Sequence, residues 1–312
     1  MSTNPAAAPR LLLLVDGDGL LYRAAHAIPS MTGPRGLPTN GLYGFAGMLW
    51  TLRTNLAPTH MAVAFTADPP LLKHALDPDY KINHYEHPEE IKRQIPYAIR
   101  FVRALGAHAF LESGYEADDV LATLVRRMGG WPIRIVTSDR DFYQLVSERV
   151  LVLRPMRGVS EMQTVDLAGV RAAFGVTPEQ VADLKALVGD VSDDIPGVRG
   201  IGPKTAAALL KRHRTVEDLL AGTDGEPDSR LSAMRERILL NKKLALPLTV
   251  PFAAKPDLAV REPDEETLRK LAEETGVGTM LRRPLEDQRV TNASKPRARR
   301  SPTARSDEPR SG

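Results

Sequence analysis

The chain has 312 residues, 42% hydrophobic and 26% charged, enough for one large globular domain or two modest ones. It has no cysteine, which excludes disulfides, zinc–thiolate sites and thiol catalysis and fits a reducing cytosol. The net charge of +3 divides into +5 on residues 289–312 and −2 on the remainder, so the expected folded part is mildly acidic.

Residues 1–9 read as a flexible leader. The apolar run LLLLV (Leu11 to Val15) is too short for a membrane span or secretory core and reads as a buried parallel strand ending at Asp16. A helix is expected over Gly41–Leu56, a strand over His60–Phe65, a helix over Pro88–Leu105 and a short strand over Ala107–Leu111. Ala117–Met128 has apolar residues at helical spacing; Ile133–Val136 and Val150–Leu153 read as strands. Alternating strands and helices predict an α/β fold, a mostly parallel sheet covered on both faces, over residues 10–163. Strand signals nearly vanish from about Thr164. Helices are expected over Asp166–Phe174, Pro178–Val188, Lys204–Lys211, Val216–Ala221, Ser229–Leu244 and Asp264–Thr275, giving a helical region over 164–287. Residues 288–312 are rich in Ser, Pro and Arg, and read as a disordered basic tail, either solubilising or salt-sensitively attached to nucleic acid.

The chemistry is concentrated in three segments. GYEADDVLATL carries Glu116, Asp118 and Asp119; IVTSDRDFYQLV carries Asp139 and Asp141; GDVSDDIPGVRGIGPKTA carries Asp190, Asp193 and Asp194 ahead of a glycine hairpin. Carboxylates gathered without basic partners repel, each pair at ~4 Å costing about 4 kcal/mol at an effective dielectric near 20. Such a cluster calls for protonation or a divalent cation, and all-oxygen ligands suit Mg²⁺ or Mn²⁺. Sheet ligands bind at the carboxyl ends of strands, which draws Asp16, Glu116 and Asp139 toward one crevice. Each acid also has a plainer reading: Asp16 as a turn or cap, the 116–119 group as an acidic first helical turn, the Asp139–Asp141 pair as an Asp-rich turn. Three acids within four residues exceed what capping needs. In the hairpin, Gly200 and Gly202 allow close backbone approach, Pro203 suits a first helical turn, and the exposed N–H groups with Lys204 form an anion site. This is a helix–hairpin–helix pattern reading phosphates without base specificity. Tyr22, Arg23, Lys73, Lys81, Arg93, Arg100 and Arg103 are further candidate phosphate contacts.

These motifs, in this order, resemble the 5′-nuclease family, which includes flap endonucleases and the 5′→3′ exonuclease domain of bacterial DNA polymerase I. The resemblance runs from about Leu11 to Leu246 through VDG with Tyr22-Arg23, PTNGLYGF, GYEADD, TSDRDFYQL and GDVSDDIPGVRGIGPKTA. It implies a PIN-like domain with a helix–three-turn–helix element, and two divalent metals (Mg²⁺ or Mn²⁺) hydrolysing DNA near a 5′ end, flap or nick in replication and repair. One metal would involve Asp16, Glu116 and Asp118, the other Asp139, Asp141 and Asp193, with Asp119 and Asp190 close by. Lys81, in an arch with Tyr80, would contact the scissile phosphate; Arg199, Gly200, Gly202, Lys204 and Thr205 would hold duplex DNA, where the family often also binds K⁺. With no polymerase domain following, a stand-alone, monomeric, cytoplasmic and nucleoid-associated enzyme is expected.

Three positions depart from the family. Thr66 stands where a metal-site Asp is usual, with Asp68 two residues on as a substitute; Ala75 replaces an acid and His84 a second basic residue. Thr66 and His84 motivate a rival reading, a catalytically weak or inactive binder of branched DNA. A PIN-like ribonuclease is a third, disfavoured by the hairpin.

Overall fold

The computed structural model describes residues 10–83, 88–222 and 229–278. The expected leader, His84 and the basic tail lie outside the described residues. Six strands form one sheet in the order β3-β2-β1-β4-β5-β6: β1 Leu12–Asp16, β2 His60–Thr66, β3 His108–Glu112, β4 Ile133–Val136, β5 Val150–Arg157 and β6 Glu161–Val165. The first five are parallel and β6 runs antiparallel to β5. The unbroken apolar run of β1 follows from burial on both faces. Leu12 and Leu14 pack into the core beneath α5 (Ala117–Arg127), while Leu13 and Val15 pack into the opposite core with α2 (Asn40–Leu56) and α4 (Ile95–Ala104).

Several elements differ from the sequence expectation. No helix is expected from the sequence over residues 17–27. Yet α1 (Gly17–Ala27) starts immediately after β1, with Asp16 as its N-cap accepting from the Gly19 N–H. The expected helix over 88–105 is two pieces, α3 (Glu89–Lys92) and α4, with Pro96 in the first turn of the second. Buried Gln94 bridges the break, donating to Glu90 and accepting from Leu42 N–H at 2.8 Å. Edge strand β6, EMQTV, was missed because it buries little besides Val165.

The helical region comprises α6 (Leu167–Phe174), α7 (Val181–Val188), α8 (Pro203–His213), α9 (Val216–Ala221), α10 (Ser229–Ala233) and α11 (Arg235–Ala245). The expected 229–244 helix is thus interrupted between α10 and α11. Fully buried Asn241 of α11 donates to the carbonyls of Ala186 and Pro196, tying α7 to the loop beyond it. The chain then returns to the α/β body, where α12 (Glu265–Thr275) packs Leu268, Leu271 and Ala272 into the core that holds α4. Among the described residues, no helix is long and apolar enough to cross a membrane.

Candidate metal centre and nucleic-acid interface

The sheet places its reactive ends together. β1 lies between β2 and β4, so successive strands are laid down to one side of β1 and then to the other, and the β1/β4 boundary is the switch point where α/β folds open a crevice. Asp16 ends β1, and its Oδ2 accepts from the Thr137 hydroxyl at 2.7 Å, just past β4. Asp139 follows, its Oδ1 accepting from Asp141 N–H at 2.9 Å. Glu116 is the N-cap of α5 in a reciprocal capping arrangement with Asp119. The plainer cap readings therefore hold for Asp16 and Glu116, without removing either from the crevice.

Two groups of three carboxylates each bring one oxygen per residue within 4.8 Å of the others: Glu116, Asp118 and Asp119, and Asp141, Asp190 and Asp193. Asp16 and Asp139 lie close by, and the Asp16 carboxylate makes ionisation of Asp139 harder. All the donors are carboxylate oxygen, the set that fits Mg²⁺ or Mn²⁺ rather than a softer ion. Asp119 is also structural: its carboxylate accepts from Glu116 N–H and from Leu248 N–H at 2.6 Å.

The acids are not without basic partners, as the sequence had suggested. Lys73, buried and read from the sequence as a phosphate contact, sits 2.9 Å from Glu116 and 3.8 Å from Asp119. Lys81 pairs with Glu116 and reaches Asp193 at 3.3 Å. Lys185 of α7, unnoticed in the sequence, pairs with Asp141 and with Asp190 at 2.5 Å. Buried Tyr80 donates to Glu116 at 3.0 Å.

These contacts split the carboxyls into two classes. Burial would raise Glu116, but the ammonium groups of Lys81 and Lys73 outweigh it and hold the value at about 2. Burial likewise opposes Asp190, and Lys185 with Ser192 draws it below its ordinary range. The others go up: burial, then neighbouring acids, pushes Asp16, Asp119 and Asp141 to about 6. Burial pushes Asp193 to about 6 against the pull of Lys81. Asp139 rises to about 6 too, by its low-dielectric surroundings; it faces the open cleft, so solvent screens it more than the rest. Carboxyls whose ionisation is made this costly by burial and by one another are those a bound cation would relieve.

A cleft of about 1200 Å³ opens over the acids, lined by Asp16, Tyr22, Arg23, Lys81, Asp139, Asp141 and Asp193 among others. Tyr22 is 45% exposed there, and Arg23 donates to Met156 O at 2.6 Å. Segment 71–83 closes one side: Lys81 N–H donates to Asp193 O, Asn83 to the Asp194 carboxylate, and Arg237 pairs with Asp77 at 2.7 Å. Leu71 and Tyr80 pack there against Ile195 and Leu244. Ala75 is exposed in this segment. Arg199, Gly200, Gly202, Lys204 and Thr205 are all exposed on the hairpin that leads into α8, over buried Val198, Ile201 and Ala206. Gly200 has φ +83°, and a Cβ on Gly197 would lie 2.0 Å from Val188 O, so this turn is built for glycine.

Other expected contacts fall elsewhere. Arg100 makes a two-pronged ion pair with Glu274 of α12, at 2.5 and 2.9 Å, and Arg93 donates to Gly36 O. Asp68 is exposed and does not line the cleft. Thr66 ends β2 with its hydroxyl accepting from Ala117 N–H at 3.2 Å. Its own N–H donates to Asp18, a buried acid of α1 that the sequence reading passed over, although VDGD displays it beside Asp16.

Two family models match the sequence. The 5′-3′ exonuclease N-terminal resolvase-like domain matches residues 11–175, and the 5′-3′ exonuclease C-terminal SAM fold matches residues 176–266. A 5′-3′ exonuclease of Aquifex aeolicus is 34% identical over 278 residues, covering 88% of this chain and 94% of its own. DNA polymerase I of Bacillus caldotenax is 37% identical over 281 residues, 86% of this chain but 32% of the polymerase, so this chain spans about a third of such relatives. Among solved structures, the T5 5′-exonuclease with bound divalent zinc superposes with TM-score 0.65 at 20% identity, covering 89% of this chain and 99% of that one. The catalytic core of Rad2 in complex with DNA substrate gives 0.57 at 14%, covering 89% and 93%. At these identities the structures speak to the fold, which is the same. The chain belongs to the 5′-3′ exonuclease family.

Proposed function

We propose that this protein is a divalent-metal-dependent 5′→3′ exonuclease and structure-specific flap endonuclease, hydrolysing DNA phosphodiester bonds near 5′ ends in replication and repair. One observation carries the reading: Asp16, Asp139, Asp141 and Asp193 face a cleft edged by Lys81, Tyr22 and Arg23, and Glu116 and Asp118 line a second space that shares Asp16, Lys81 and Asp139 with it. Asp16, Glu116 and Asp118 would hold one Mg²⁺ or Mn²⁺, and Asp139, Asp141 and Asp193 the other, with Asp119 and Asp190 close by. Bound there, such ions polarise the phosphate and activate the attacking water. The protein's own residues supply the rest. Lys81 offers an ammonium to the scissile phosphate, and Tyr22 a ring for an unpaired base. Arg23 offers a fork for the backbone. The Arg199–Thr205 hairpin offers backbone N–H groups and Lys204 to the duplex behind the cut, with K⁺ as a bridging ion. The DNA classes proposed are 5′ ends, flaps and nicks, bound by a monomer.

The test is cleavage of a 5′-labelled flap duplex in Mg²⁺ and in Mn²⁺, beside Asp139→Ala. The expected result is cleavage that falls by more than about 100-fold in the variant. A wild-type chain that binds the flap yet cuts it in neither metal would instead be a branched-DNA binder.

A further inference from the structure

The family resemblance leaves a gap at Thr66, where a neutral side chain ends β2. We propose that Asp18 fills it: the carboxylate that β2 lacks is delivered from the first turn of α1, and binds metal beside Asp16, Glu116 and Asp118. The inference rests on the nuclease reading above and assigns a ligand within that site.

The placement carries the argument. Asp18 is two residues beyond Asp16, and the turn from β1 into α1 swings its carboxylate sideways over the end of β2, the strand adjacent to β1. There Oδ2 accepts from Thr66 N–H at 2.6 Å, so the carboxylate sits at the C-terminal tip of β2, the position a side chain of residue 66 would serve. The Thr66 hydroxyl is already engaged, accepting from Ala117 N–H at the start of α5. Thr66 therefore orients Asp18 and does not compete with it. A smaller chamber of about 300 Å³ is lined by Asp16, Asp18, Thr66, Glu116, Asp118 and Asp139, so Asp18 shares a space with Asp16 and with Glu116 and Asp118 of the first group. Asp18 is only 8% exposed, and an acid so placed is costly unless a cation compensates it. Burial, opposed by its Thr66 bonds, raises it to about 6, in line with its neighbours. Asp68, the substitute suggested by sequence spacing alone, is exposed and lines neither space.

A plainer role exists: an acid in a first helical turn that merely caps a strand end. Metal uptake by the full chain separates the two. Mn²⁺ binding, followed by calorimetry and by the electron paramagnetic resonance of free Mn²⁺, would be measured for wild type, Asp18→Asn, Asp68→Asn and Asp18→Asn/Thr66→Asp. Asparagine keeps the size and the acceptor for Thr66 N–H, so folding is expected to hold, with a melting temperature in EDTA no lower than wild type. The expected result is one Mn²⁺ bound about 10-fold or more weakly in Asp18→Asn. Asp68→Asn should match wild type, and Thr66→Asp should recover affinity in the Asp18→Asn background. Wild-type Mn²⁺ affinity in Asp18→Asn, together with a lowered melting temperature, would overturn the proposal in favour of the capping role. A wild-type chain that takes up no Mn²⁺ at all would sink the nuclease reading itself, and this inference with it.

Discussion

At the scale of single residues, the site is a set of acids poised against their own ionisation. Asp16, Asp18, Asp119, Asp139, Asp141 and Asp193 each sit near 6, above an ordinary value of 3.8, so the folded chain holds these protons more tightly than the unfolded one. Their contribution to stability is full below the ordinary value and is lost as pH rises through 6. Glu116 runs the other way: held at about 2 by its lysines, it stabilises above its ordinary 4.5, and that contribution disappears as pH falls through 2. The metal-free protein should therefore melt at a higher temperature at pH 5.5 than at pH 7.5. Added Mn²⁺ should raise the melting temperature at pH 7.5 more than at pH 5.5, where protons compete for the same oxygens. Differential scanning calorimetry in EDTA and in Mn²⁺ checks both. Most of these acids were legible because GYEADD and TSDRD crowd them into short segments. Lys73 and Lys185 were not, because a lysine buried among carboxylates looks in sequence like any surface lysine.

At the scale of elements, the hairpin shows how finely backbone conformation is specified. Gly197→Ala would drive a methyl group to 2.0 Å from Val188 O, at the junction where α7 hands over to the hairpin. Gly202→Ala meets no atom within 4 Å. The first change should lower stability by about 2 kcal/mol or more; the second should leave stability nearly unaltered and act only on duplex binding, where its methyl group stands between the backbone and the phosphates. Chemical denaturation and fluorescence-anisotropy titration with a blunt duplex distinguish them, and equal effects on stability would show that the turn accommodates a side chain. The GVRGIGPK pattern was readable because glycines recur where a turn must precede a helix. Helix α1 was not, because the same residue type in DGDG masked a helix beginning directly at a strand end. Asp18 was lost with it: its role depends on β2 lying next to β1, a tertiary fact that spacing along VDGD does not encode.

At the scale of the whole molecule, the chain leaves the α/β body, builds the helical region, and comes back. Segment 248–261 is pinned by Leu248 N–H to Asp119, Val250 N–H to Thr123, Val260 N–H to Thr59 O and Arg261 N–H to Gly106 O. Helix α12 then lays Leu268 and Leu271 into the core of α4. Leu271→Ala, far from every candidate ligand, should cost about 2–5 kcal/mol in urea unfolding while leaving the turnover of the remaining folded protein intact. A loss below about 1 kcal/mol would mean that α12 is dispensable to the core. The α/β alternation made the sheet predictable, since buried parallel strands must be apolar on both faces. The return path was not, because it is set by hydrogen bonds between segments more than a hundred residues apart.

The lysine contacts of segment 71–83 carry one last consequence. Lys81 serves Glu116 and Asp193 as an internal counter-ion, and the same ammonium is the group proposed to grip the substrate. An ammonium carries three N–H donors, so its charge is shared out: the more a bound cation satisfies Glu116 and Asp193, the more of Lys81 is open to a phosphate. Metal binding and DNA binding should therefore reinforce one another through a single side chain.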